Sequence, residues 1–283
     1  MEGMKKSAGR KFLKIFFISF IFFALFIGVC TLSYRIVIDF FNIENGAVEV
    51  AEIITSDKQQ INITEARLDD VSKHLIFCVD EDDGSIKKLV LEIFNCTSHK
   101  MYYFTIPIKT RFTLSSSLHK ELVLVKPSIP QFLKLSAITT YIPDETAYEY
   151  GVLMVEDLLD ISISYYSVVP QSIYDSVFAT ENIEPKEGRD DNSDIYSREI
   201  FSPDFLKFLR TIKTETELRK YIGEIYEKIK SNLRFEDKLN YMDSYLKTPG
   251  ENIYFEVIAG KDSNSEYTVD KEAAKKQLEA CFK

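Results

Sequence analysis

The stretch His74-Leu-Ile-Phe-Cys-Val-Asp80 decides the fold of this chain. An apolar run this short, closed by the acidic turn Glu81-Asp-Asp-Gly-Ser85, has the length and the punctuation of a β-strand. Its unbroken apolarity, without alternation, predicts a central strand covered on both faces. Two further runs follow it, Leu89–Phe94 (LVLEIF) and Met101–Ile108 (MYYFTIPI), parted by the turn Asn95–His99 (NCTSH). Short β-rich runs between turn residues make a sheet core.

Helical spacing begins downstream. Thr146–Leu159 carries Val152, Val155, Leu158 and Leu159 at helical intervals, with Asp144 or Thr146 to cap it. Ile161–Val169 (ISISYYSVV) predicts another strand, and charged Glu181–Ser193, with Pro185 and Gly188, predicts a loop. Asp204–Lys230 predicts one helix with Leu218, Ile222, Ile225, Tyr226 and Ile229 on one face, Ser202 capping it and Pro203 in its first turn. Ile253–Ile258 is expected as a late strand and Asp270–Phe282 as a closing helix. The expected class is α/β, an α+β sandwich with a central mixed β-sheet between helical layers.

Upstream, Ile15–Tyr34 (IFFISFIFFALFIGVCTLSY) holds no charged residue and no polar stripe. At about 1.5 Å per residue, such a helix spans a bilayer core of about 30 Å. It is longer than a signal-peptide apolar region and lacks a small-x-small cleavage site. Lys5, Lys6, Arg10, Lys11 and Lys14 against Glu2 place the preceding segment in the cytoplasm. The expected organisation is a cytoplasmic tail (1–14), a transmembrane helix (15–36), a stalk (37–72) and an extracytoplasmic domain (73–283) on a single-pass protein of the cell membrane. The tail carries +4, so a whole-chain charge of −9 leaves −13 for the remainder. A domain of that charge repels polyanions, which excludes nucleic acid as a partner. His74, His99 and His119 show no metal-ligand spacing, and Cys78 and Cys96 suit either a disulfide or two buried thiols.

Three stretches carry a resemblance: Leu75–Ser85 (LIFCVDEDDGS), Leu89–Phe112 (LVLEIFNCTSHKMYYFTIPIKTRF) and Phe132–Val169, whose VEDLL and ISYYSVV pieces are its most specific part. With the later segment Ser231–Leu246 (SNLRFEDKLNYMDSYL), they make most of residues 74–280 similar to the LytR–CpsA–Psr proteins of Gram-positive cell envelopes. The resemblance implies a membrane-anchored phosphotransferase that moves a glycopolymer from a polyprenyl-pyrophosphate carrier to peptidoglycan. It also implies Mg²⁺, carboxylates and arginines to neutralise the pyrophosphate leaving group.

The motif positions are only partly kept. Asp80 matches the family's first carboxylate and is the candidate catalytic and metal-binding residue; its plain reading is a turn acid beside Glu81, Asp82 and Asp83. The second carboxylate falls on Lys87, and Ser85 stands at an arginine. Ile108-Lys109 replaces an Arg-Asp pair, though Pro107 and Thr110 remain. Lys109, Arg111, Lys134 and Arg198 are the candidate phosphate-binding residues, with Lys87, Lys88 and Arg189 as further cations. Lysine lacks the planar fork of arginine, and one carboxylate makes a poor metal site. The expectation is therefore a family-like protein that binds a polyprenyl-phosphate-linked envelope component or cell-wall glycan with weak or no catalysis. An active transferase using Mg²⁺, or a non-catalytic interaction module, is the alternative.

Overall fold

A computed structural model describes residues 63–183, 196–263 and 265–282. The expected tail, transmembrane helix and most of the stalk, together with Arg189, lie outside the described residues. Among those described, no helix is long and apolar enough to cross a membrane.

The strands are β1 (Val71–Val79), β2 (Ile86–Asn95), β3 (Lys100–Thr105), β4 (Arg111–Thr113), β5 (Phe132–Lys134), β6 (Tyr165–Pro170), β7 (Phe178–Ile183), β8 (Tyr196–Phe201), β9 (Lys230–Ser231), β10 (Ile253–Val257), β11 (Gly260–Ser263) and β12 (Glu266–Val269). The helices are α1 (Ser116–Val125), α2 (Ile138–Tyr141), α3 (Thr146–Leu159), α4 (Gln171–Val177), α5 (Pro203–Leu209), α6 (Glu215–Tyr226), α7 (Phe235–Lys238), α8 (Met242–Lys247) and α9 (Lys271–Glu279).

Six strands form one mixed sheet in the order β10-β3-β2-β1-β6-β9. The β1–β2–β3 meander is antiparallel, whereas β6 joins β1 and β10 joins β3 in parallel. The expected class is thus present: a mixed sheet within an α/β domain. Period-two alternation divides its side chains between two cores. Leu75, Phe77, Leu89, Leu91 and Ile93 face α1, α2, α3 and α9, where Leu122, Ile138, Val155 and Leu278 are buried. Ile76, Cys78, Val90 and Phe94 face the opposite way, toward Tyr174, Phe178, Phe201 and Tyr241. β1 is covered on both faces because each alternating set has its own helical partner.

Several boundaries differ from expectation for local reasons. β3 stops at Thr105 rather than Ile108, ahead of Pro107, which has no N–H for the ladder. β6 begins at Tyr165 rather than Ile161, because Asp160 ends α3 in the left-handed region (φ 53°). The residues between are committed elsewhere: Ser162 accepts from Arg67, and Ser164 bonds Lys73 and Asp69. The expected loop from Glu181 starts inside a β7–β8 hairpin, fixed by Phe178 opposite Phe201 in the second core.

The single helix expected over Asp204–Lys230 is two. Ser202 caps α5, with Pro203 in its first turn as expected. Thr214 then starts α6 with a capping box closed by Glu217, so the chain between must leave the helix. Cys78, Cys96 and Cys281 are free thiols, and Cys78 lies opposite Lys88 in the ladder.

Gly260 in β11 sits where a Cβ would come within 2.5 Å of the Thr268 carbonyl oxygen and 2.6 Å of the Tyr267 ring. Gly250 has no atom within 4 Å of the same position. In urea denaturation of the full-length chain, Gly260→Ala should lose about 1–3 kcal/mol by overpacking. Gly250→Ala should stay within about 0.5 kcal/mol of the parent. Equal effects at the two glycines would contradict the packing of the β11–β12 hairpin.

Candidate functional site

The second face of the sheet carries one unusual row. Successive cross-strand partners on β10, β3, β2, β1 and β6 are Phe255, Tyr103, Glu92, His74 and Tyr165. A carboxylate and an imidazole therefore sit mid-sheet with aromatic rings on either side. Tyr103 stacks on Phe255 at 5.3 Å and His74 on Tyr165 at 4.2 Å between ring centroids.

The opposing charge comes from the end of α7. Lys238 Nζ lies 3.8 Å from Glu92 Oε1 and donates to Tyr165 Oη at 2.5 Å. The rings of Tyr165, Tyr245 and Tyr241 stand 4.9, 5.1 and 5.9 Å from the same nitrogen, an aromatic surround that favours the ammonium. Only 9% of the Glu92 side chain and 11% of the Lys238 side chain are exposed. Burial by itself would push the Glu92 carboxyl up, but Lys238 and His74 outweigh it and hold the value down to about 2. Burial lowers Lys238, opposed by Glu92, and burial also lowers His74, which is thus neutral at pH 7. His74 Nε2 bonds Ser167 Oγ at 2.9 Å, and its Nδ1 stands 3.5 Å from Glu92 Oε1.

Over this row lies a cavity of about 640 Å³. The sheet contributes Ile76, Met101, Tyr103, Val169 and Phe255 to it, together with His74, Glu92 and Ser167. α4 and β7 add Ile173, Val177 and Phe178. The face expected on a helix past Asp204 lines it too: Leu218, Ile222, Ile225, Tyr226 and Ile229. Leu206 and Leu246 line the cavity while remaining 45% and 40% exposed, so they mark its rim.

The candidate residues named from sequence stand elsewhere, in separate groups. Asp80 accepts from the backbone N–H groups of Asp82 (2.9 Å) and Asp83 (3.4 Å), and these bonds, with Lys87, lower its pKa. Lys87 Nζ lies 3.1 Å from Asp80 Oδ2. An ammonium thus already neutralises the Asp80 carboxylate. Among the described residues no three His, Cys, Asp or Glu side chains converge to hold a metal, and Asp80 is a single carboxylate already answered by an ammonium.

Lys109, Arg111 and Lys134 gather on the β4–β5 ribbon and are bound by the hairpin β11–β12 and its turn. Lys109 pairs with Asp262, Arg111 with Glu266, and Lys134 donates to the Ser265 carbonyl at 3.0 Å. Arg198 binds Glu181 at 2.7 Å and the Phe255 carbonyl at 3.0 Å. Lys88 pairs with Glu199 at 2.7 Å. No hydrogen bond or ion pair among the described residues joins Asp80 to Lys109, Arg111, Lys134 or Arg198.

The sequence reading passed over Glu92, His74 and Lys238 as functional residues. A signal was present: His74 and Glu92 are the polar members of otherwise apolar alternating sets, His74-Ile76-Cys78 and Val90-Glu92-Phe94.

No family model and no curated protein matches this sequence. Solved structures do. The Bacillus subtilis TagV crystal structure superposes with a TM-score of 0.50 at 15% identity, covering 75% of this chain and 96% of that one. Protein gbs0355 of Streptococcus agalactiae gives 0.50 at 14% identity, covering 75% and 87%. The LytR-CPS2A-psr family protein YwtF (TagT) with bound octaprenyl pyrophosphate reaches 0.44 at 14% identity, covering 77% and 93%, too loose a match to position a ligand here.

Removing one partner of a buried ion pair strands the other. Lys238→Met should cost about 3–5 kcal/mol at pH 7, and Glu92→Leu with Lys238→Met should recover most of it. Glu92 titrates lower when folded than its ordinary 4.5, so its contribution is complete above that value and disappears as pH falls toward 2. Denaturant midpoints between pH 7 and 3 should show this acid loss in the parent and not in the double variant. A loss of under about 1 kcal/mol for Lys238→Met would mean that the two charges are uncoupled.

Proposed function

We infer that the domain has a LytR–CpsA–Psr-like fold, divergent in sequence from the solved structures whose fold it shares. We propose that this chain is a membrane-anchored, extracytoplasmic protein of cell-envelope assembly that binds a polyprenyl-phosphate-linked component without transferring its glycan. The observation that carries this reading is the cavity of about 640 Å³ between the sheet and α4–α6. Its volume falls within the range of small-molecule sites, roughly 300–1,000 Å³, and its lining is mainly aliphatic and aromatic. An apolar chain gains there by leaving water, about 25 cal/mol for each Å² buried. The rim residues Leu206 and Leu246 give such a chain a way in.

Weak or absent catalysis follows from the surroundings of Asp80. Transfer from a pyrophosphate carrier needs positive charge focused on the leaving group. Lys87, Lys109, Arg111 and Arg198 each already answer an acid of this chain, and the last three bind away from Asp80. The N-terminal apolar segment and the basic residues before it support the anchor and its orientation, with the domain on the outer side of the membrane.

The test uses full-length chain purified in detergent, incubated with a polyprenyl phosphate and analysed for bound lipid by mass spectrometry. The parent should retain it, and Ile222→Trp, which puts added bulk into the cavity, should retain at least about tenfold less. Asp80→Ala should bind as the parent does. Turnover of a lipid-pyrophosphate-linked glycan that vanishes in Asp80→Ala would overturn the non-catalytic reading, and equal retention by Ile222→Trp would remove the cavity from it.

A further inference from the structure

The wall of the cavity against the sheet is not suited to hydrocarbon alone. His74, Glu92 and Lys238 line it, each with roughly nine-tenths of its side chain buried. Their mutual contacts are incomplete. Glu92 Oε1 and His74 Nδ1 lack a hydrogen-bond partner, and Oε1 stands 3.5 Å from the imidazole and 3.8 Å from the ammonium. Lys238 has three protons to give and one hydrogen-bond acceptor, Tyr165 Oη, among the described residues. Such gaps are too long for hydrogen bonds.

A chain that sealed these groups from water with methylenes would leave each unsatisfied, at a cost that grows with its charge. A charged ligand group is no better suited. Between Glu92 and Lys238 the two charges cancel and His74 beside them is neutral, so an anion or cation placed there would face one matching and one opposing charge; the cavity's other charged residue, Arg210, comes from the end of α5. A hydroxyl suits both, because it donates to a carboxylate while accepting from an ammonium.

We propose that the cavity's occupant is an apolar molecule whose buried part carries an uncharged hydroxyl, held between Glu92 and Lys238 on the floor formed by the sheet. This rests on the reading of the cavity as a site for an apolar molecule and goes beyond it, because the hydrocarbon chain of a polyprenyl phosphate offers no hydroxyl to this floor. Tyr103, opposite Glu92 in the cross-strand row, and Tyr245, beside Lys238, are the aromatic rings that line the cavity around the pair.

The probes are farnesol and farnesyl methyl ether, which share an apolar chain but differ in whether the oxygen can donate. Isothermal titration calorimetry on the full-length chain in detergent should find farnesol bound about tenfold or more tightly than the ether, the effect of one hydrogen bond to a buried charge. The double variant Glu92→Leu, Lys238→Met should lose most of that discrimination, since it removes both charges and keeps the floor neutral. Equal affinity of the parent for alcohol and ether would overturn the proposal without any variant having to fold. Unchanged discrimination in a folded double variant would overturn it too. Polyprenyl phosphate retained without this discrimination sinks the hydroxyl site and leaves the lipid reading standing. Discrimination without phosphate retention does the reverse, and no binding of any probe rejects both.

Discussion

A carboxylate in the middle of a covered sheet must be answered by a cation, and Glu92 is answered by Lys238. That demand reaches across the fold. Glu92 is fixed by its ladder between β1 and β3, whereas Lys238 arrives from α7, about 150 residues later in the chain. To meet it, the segment after α6 must return to the sheet, and Tyr241 and Tyr245 return with it to wall the ammonium. The pair therefore ties the late helices to the early meander. Its value lies less in net stability than in what happens if either member is missing.

The two faces of the sheet solve different problems. One is closed by α3, whose Val152, Val155, Leu158 and Leu159 are nearly inaccessible, and it behaves as a packed core. The other is roofed by short helices that leave a void. α5 buries none of its residues fully, and α6 buries only Ile222. Apolar positions that would make a core beneath a long, straight helix line a cavity beneath two short ones. The break is local in origin: the capping box of Thr214 and Glu217 starts α6 afresh.

The central strands, α3 and the closing helix were legible because each follows from its own local pattern. α3 spans Thr146–Leu159 as its spacing predicts, and Asp270 caps α9. The helix break, the β7–β8 hairpin and the helix α1 were not, since they depend on caps and on distant aromatic partners such as Phe178 and Phe201. The candidate site shows the same divide. Resemblance pointed to Asp80 and to cations near motif positions, and the structure places these in three groups with different partners. Lys238 carries no local sign of its role, because its neighbours in sequence are ordinary surface charges and its significance exists only beside Glu92.

The ion pairs described above also bear on how a ligand arrives. Lys87, Lys88, Lys109, Arg111 and Arg198 each sit beside an acid of the same chain, in a protein whose formal charge is −9. These five are therefore poorly placed to draw an anionic molecule in from a distance, and the net negative charge of the chain repels one. Arg210, at the end of α5, is the cation that lines the cavity apart from Lys238, and an attraction to it would weaken with added salt. Salt also changes the cohesion of water itself, and strongly excluded salts such as sulfate favour apolar burial. The solvent therefore has a direct part in association with this cavity, through the apolar area that binding removes from water.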